Sequence, residues 1–208
     1  MEFAQLGVFL IATLILNVTP GPDMIFAAAN GVQRGSAAGV VSALGIGCGA
    51  LFHAGMAAIG VSALIAASDL AFDVLRIGGA LYLIWIGVKN FRGNDGPVFG
   101  NTVPQVSYRQ LYLRGMLTNI LNPKVALFFI ALLPQFVSPE AGNIGMQIFL
   151  LGCFVGISGA VINGLVGMFA GGAGRLFLQS PKASKWIARV SGVLFVGLGI
   201  RLFLMERN

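Results

Sequence analysis

The sequence predicts an all-α polytopic membrane protein: six transmembrane helices in an inverted 3+3 repeat, with helices 1 and 4 broken by proline near the midplane. Three observations predict it. The 208 residues are 57% hydrophobic and 10% charged, where a soluble domain carries about 25% charged residues, and mean hydropathy is +0.88. One polar stretch, about 91–113, holds Gly93, Gly96, Pro97, Gly100 and Pro104 and divides the chain into halves of three apolar runs each. Proline interrupts the first run of each half, at Asn17-Val18-Thr19-Pro20-Gly21-Pro22-Asp23 and at Asn119-Ile120-Leu121-Asn122-Pro123-Lys124. Hydrocarbon tolerates irregular backbone only where protein buries it or a cavity adjoins it.

A span needs about 20 apolar residues, and the runs that meet this are 3–29 (broken), 38–65, 70–90, 114–137, 144–171 and 186–205. The first has no basic n-region and no small-residue cleavage site, and reads as a retained span rather than a signal peptide. The second and fifth are long, so tilt or interfacial ends are expected. The chain is then one membrane domain, 1–208: a first repeat at 1–90, a cytoplasmic linker at 91–113 and a second repeat at 114–208.

Short matches in the same order relate the halves. Arg76-Ile-Gly-Gly79-Ala-Leu81 matches Arg189-Val-Ser-Gly192-Val-Leu194, and Gly49-Ala50-Leu-Phe-His53 matches Gly159-Ala160-Val-Ile-Asn163. Three spans is an odd number, so the second copy enters from the opposite side and the repeat is inverted. Basic residues set the orientation. With the N-terminus outside, the inner side holds Arg34, Lys89, Arg92, Arg109, Arg114, Arg175, Lys182, Lys185 and Arg189, against Arg76, Arg201 and Arg207 outside. Nine against three places both termini in the periplasm and explains the net charge of +6 without nucleic acid.

The breaks carry the chemistry. Pro20 and Pro22 lack N–H groups and stop the helix, and Gly21 permits a sharp path. Asn122 suits an N-cap and Pro123 the first helical position. Each break thus presents carbonyls from one half-helix and N–H groups from the next. Helix N-termini attract a carboxylate; free carbonyls attract an ammonium group or a cation. An amino-acid zwitterion satisfies both.

Asp23 and Lys124 sit beside the prolines, at a depth where a charge costs about 2.5–3.5 kcal/mol. Such residues mark an ion or substrate path, and Asp23 is the first choice for a proton-linked carboxylate. Asp23 could instead favour its half-helix N-terminus, with Lys124 as an ion-pair partner joining the repeats. One scheme has Lys124 pair with Asp23 in the empty protein and with substrate in the loaded one. His53, the single histidine, has an unperturbed pKa suited to carrying protons; a hydrogen bond to another span is the structural alternative. Asn17, Thr19 and Asn119 either cap backbone or touch substrate.

The chain has no Cys-x-x-Cys pair, no His-Glu-x-x-His zinc motif and no Gly-Lys-Ser phosphate loop, so no metal, cofactor or enzymatic activity is expected. Cys48 and Cys153 raise one alternative class, a membrane thiol–disulfide carrier. They lie away from the prolines and at unmatched repeat positions.

The chain resembles a known family. Asn-x-Thr-Pro-Gly-Pro-Asp at 17–23, Leu75-Arg-Ile-Gly-Gly-Ala-Leu-Tyr-Leu-Ile-Trp-Ile-Gly87, and Asn119-x-x-Asn-Pro-Lys124 with Phe128-Phe-Ile-Ala-Leu-Leu-Pro-Gln-Phe136 are similar to the lysine exporter (LysE) family, especially its homoserine/threonine exporter-like (RhtB) branch. The resemblance runs nearly the whole length. It implies a secondary exporter of amino acids or related metabolites in the bacterial inner membrane, driven by the proton gradient. It carries the Pro-Gly-Pro and Asn-Pro-Lys motifs onto Pro20, Gly21, Pro22, Asn122, Pro123 and Lys124. The expected partners are an amino acid, protons and the lipid bilayer, with room for a homodimer.

Overall fold

The computed structural model describes residues 3–67 and 106–172 continuously, with isolated helical positions within 74–88 and 189–204. The described residues are helical, with no strand among them. The predicted spans at 70–90 and 186–205, most of the linker, and the Arg76/Arg189 repeat match lie outside the continuously described residues.

The first apolar run is two helices, α1 (Phe3–Val18) and α2 (Pro22–Arg34), which meet at 48°. Pro20 and Pro22 end α1 because neither can donate to the preceding turn. Gly21 is extended there (φ −167°, ψ −175°), and Pro22 occupies the first helical position of α2, where a missing N–H loses nothing. At the far end Gly35 adopts φ +90° and returns its N–H to the Gly31 carbonyl at 2.9 Å, a turn that favours glycine.

Helix α3 (Ser36–Ala67) follows at once. Its 32 residues reach about 48 Å at 1.5 Å per residue, more than the roughly 30 Å hydrocarbon layer, so it tilts or projects. The second half opens on α4 (Tyr108–Ile120), bends 50° at Leu121–Asn122, and continues as α5 (Pro123–Leu127). A π turn, Phe128–Leu132, and a 3-10 turn, Leu133–Phe136, extend α5, the second containing Pro134. Helix α6 (Ile144–Ala170) closes the described core.

One boundary differs from expectation. The polar composition of 91–113 predicts a linker to 113, but helix α4 starts at Tyr108. Ser107 accepts from the Gln110 N–H at 3.3 Å and its own N–H donates to Gln110 Oε1 at 2.9 Å. This capping box starts a helix in residues too polar for an apolar-run criterion.

Among the described residues, α3 and α6 (Ser36–Gly60 and Ile144–Ala170) are long and apolar enough to cross a membrane, and the two bent pairs bring the count to four if each is one span. Helix α3 packs along α6 and α4, and at several glycines the backbones come into close approach. A Cβ on Gly45 would strike the Tyr112 carbonyl, and one on Gly39 would strike the backbone of Gly167. Small residues allow this approach where lipid supplies no hydrophobic drive between helices. The outer faces instead carry exposed Ile59, Leu150 and Ile157, an arrangement suited to lipid rather than water. Phe9, Phe128, Phe129, Leu133 and Ile148 are buried in one apolar cluster. A smaller cluster joins Ala27, Ala43 and Ile46. Both clusters take residues from the broken segments, Leu16 and Val125 in the first and Ala27 in the second.

Candidate functional site

In a regular helix each carbonyl accepts the N–H four residues on. Leu16 would need the N–H of Pro20, which has none. The structure fills that deficit from the other half of the chain: Lys124 Nζ donates to the Leu16 carbonyl at 3.0 Å and to the Thr19 carbonyl at 2.9 Å. Thr19 turns its own hydroxyl back onto the Ile15 carbonyl, so it offers backbone, not side chain, to the lysine. Gly21 makes room; a Cβ there would sit 3.2 Å from Lys124 Nζ.

The second break follows the same logic. Asn119 would need the N–H of Pro123, again absent. Its carbonyl instead accepts from the Asn122 N–H at 3.0 Å and lies 3.2 Å from His53 Nε2. A carbonyl only accepts, so Nε2 carries the proton. Asn122 caps α5 by accepting the Lys124 N–H at 3.1 Å.

Asp23 and Lys124 are both buried, at 6% and 9% exposure, yet no hydrogen bond joins them. The carboxylate takes the Asn119 side-chain amide at 2.8 Å; the ammonium is held by carbonyls. The first break explains this. Its α1 end is a negative helix pole and its α2 end a positive one. Lys124 sits on the first and Asp23 on the second, so each charge meets an opposite pole, and the two attract across the cavity without a hydrogen bond. The expected direct pairing of the two in the empty protein is therefore replaced by pairing of each with backbone dipoles.

Both charges line one small cavity, with Asn17, Thr19, Asn119 and Asn163 as further polar walls. Its volume is about 20 Å³, room for one water molecule. Ile46, Ala50, Val125 and Val155 close it with apolar surface. Asp23 Oδ1, Asn119 Oδ1 and Asn163 Oδ1 are buried without a partner. Buried polar atoms are nearly always bonded, and all three of these belong to residues of the cavity wall.

Of the residues singled out in the sequence, the structure brings Asn17, Thr19, Asp23, Asn119 and Lys124 to this cavity. His53, Asn122, Pro20, Gly21, Pro22 and Pro123 are not in its wall; Pro22 and Pro123 face outward, exposed. Those residues shape the breaks instead. Asn17 also donates to Ser158 Oγ at 3.0 Å and fits against Gly159, where a Cβ would lie 2.9 Å from Asn17 Oδ1. The sequence reading passed over Asn163 as a site residue. Its signal was there: a carboxamide within an apolar span, opposite His53 in the repeat match. Cys48 and Cys153 are both free thiols, and neither lines the cavity, so nothing supports the thiol–disulfide carrier.

Fold and site together define an integral membrane protein whose polar centre is enclosed between two broken helices. The chain belongs to the LysE type translocator family, whose model matches residues 14–206. It is 29% identical over 205 residues to the homoserine/homoserine lactone efflux protein of Salmonella typhimurium, covering 97% of each chain. It is 28% identical over 200 residues to the threonine efflux protein of Escherichia coli K12, covering 92% of this chain and 93% of that one. An uncharacterized membrane protein of Vibrio cholerae is 29% identical over 195 residues, 93% of this chain and 94% of that one. No solved structure matches the chain.

Proposed function

We propose that the protein is a secondary exporter of small amino acids across the bacterial inner membrane, with its substrate site in the cavity between the two breaks. The observation that carries this reading is the placement of Asp23 and Lys124 on opposite helix poles around one small cavity. A zwitterion carries one charge of each sign, each complementary to one of these two. Relatives named for threonine and homoserine efflux direct the choice of substrate to small neutral amino acids.

The cavity holds one water, so an amino acid enters only when the surrounding helices part. Alternating access about the two broken helices, related as inverted repeats, meets that need. Asp23 is the coupling group in this scheme. One of its oxygens has no partner, so a proton can bind there without displacing Asn119. The excess of basic residues in the inner loops supports an N-terminus and a C-terminus in the periplasm.

The test is export itself. Cells lacking their own exporters are fed threonine-, homoserine- and other amino-acid-containing dipeptides, and intracellular free amino acid is followed with and without the protein. The expected result is a lower plateau for threonine or homoserine, abolished by a protonophore. Unchanged accumulation of every amino acid, with the protein present in the membrane, would falsify the reading.

A further inference from the structure

We propose that Lys124, in the empty protein, occupies a seat built for a primary ammonium group, and that substrate takes this seat by displacing it. The seat is the pair of carbonyls of Leu16 and Thr19. The inference rests on the amino-acid reading for the identity of the displacing group, not for the seat.

A lysine head and the α-ammonium of an amino acid are the same chemical group, with three N–H donors and no acceptor. Leu16 lost its helical partner to Pro20, so its carbonyl must be satisfied by something outside its own helix. The negative pole of α1 favours a cation there. Lys124 meets both needs at 3.0 and 2.9 Å. Among the described residues its side-chain hydrogen bonds go to those two carbonyls, and none goes to a carboxylate. The side chain reaches the seat from the opposite break on four flexible carbons, past the bare backbone of Gly21. Withdrawn into the cavity, the ammonium is where an incoming carboxylate can meet it, while the substrate's ammonium satisfies the carbonyls it left. The exchange swaps like for like, so neither the carbonyls nor the lysine is left unpaired. It also makes the site selective: an N-acylated amino acid, with no ammonium, cannot complete the exchange.

The test uses methylammonium as the probe and thermal unfolding of the purified full-length protein in detergent as the readout, with sodium chloride at matched ionic strength as the reference. If Lys124 holds the seat about nine-tenths of the time, outside ammonium is weakened about tenfold in wild type. Lys124→Met, which keeps the bulk and removes the charge, should therefore respond saturably to methylammonium at about tenfold lower concentration than wild type. Lys124→Arg, which keeps a cation, should respond as wild type does. Gly21→Ala provides a second route should Lys124→Met fail to fold. Its backbone is extended and accepts any residue, and the added methyl presses on the lysine head, so its response should fall between wild type and Lys124→Met. The double variant Asp23→Asn, Lys124→Met tells the carbonyls from the carboxylate: a retained response assigns methylammonium to the carbonyls, and a lost one overturns the seat. Equal responses in wild type, Gly21→Ala and Lys124→Met overturn it as well. If threonine export is intact but methylammonium never separates the variants, the seat fails and the exporter reading stands. If Lys124→Met gains the response while wild type exports no amino acid, the seat stands and the exporter reading fails.

Discussion

The two breaks solve one problem with different parts. In each, proline removes the N–H that a carbonyl four residues earlier requires: Pro20 for Leu16, Pro123 for Asn119. In each, a basic side chain from elsewhere supplies a donor: Lys124 for the first, His53 for the second. The first break has no side-chain cap on its second half-helix, and its donor is a charged group from the other half of the chain. The second break caps itself with Asn122, and its donor is an imidazole on a long packed helix. The first is thus held by a long, movable cation, and the second by a ring packed 5.7 Å from Phe129. Under the exporter proposal, the first kind of donor suits a site that opens and the second a joint that holds.

If this contrast is right, Lys124→Ala gives the largest effect. It strands the Leu16 carbonyl and leaves Asp23 as the one charge in the cavity wall. Losing one member of a buried charged set costs about 3–5 kcal/mol, so expression and export should both collapse. Wild-type expression of Lys124→Ala would show that the first break does not depend on its borrowed donor. Asp23→Asn comes next. The replacement still accepts from Asn119, so the protein should reach the membrane in normal amount. A hydrogen bond to a charged group is worth about 1.5–3 kcal/mol, so export should drop about tenfold or more. Full export with an unchanged pH profile would assign Asp23 to structure alone.

The glycines behind the breaks sharpen the comparison further. A Cβ at Gly49 would lie 2.7 Å from the Met116 carbonyl and 2.8 Å from Asn119 Cβ, whereas at Gly159 the nearest atom is the movable Asn17 amide at 2.9 Å. Gly49→Ala should therefore destabilise by about 1–3 kcal/mol, the usual range for overpacking, and Gly159→Ala by less. Melting temperatures in one detergent decide the order; the reverse order would mean that the second break is the looser one. The smallest effect is expected of His53→Gln. A glutamine amide can replace the Nε2–H donor, so the loss stays within the roughly 0.5–1.5 kcal/mol of one neutral hydrogen bond. Export should keep its pH dependence, because the proposed coupling group is Asp23. A shifted pH profile would return His53 to the proton path.

Much of this was legible in the sequence because the bilayer is a severe solvent. Long apolar runs must be helices there, and two prolines beside an acid and a base within such runs must be buried by protein. That reasoning reached the two bent helix pairs, the α3 and α6 helices, and five of the polar residues now found around the cavity. It missed the start of α4, because a capping box makes helix from polar residues. It also missed Asn163, whose role depends on which face of α6 turns toward Asn17.

What the sequence determined by itself was the location of the defects: proline chemistry is local, and a missing N–H is missing in any fold. What only the tertiary structure decided was who repairs them. Lys124 is 108 residues from Leu16 in the chain, and His53 is 66 from Asn119. Nothing in either stretch says that the lysine will choose carbonyls over Asp23. That choice follows from how the first break lies against the second, with opposite helix poles facing the two charges, and a pole has direction only once the helices are placed.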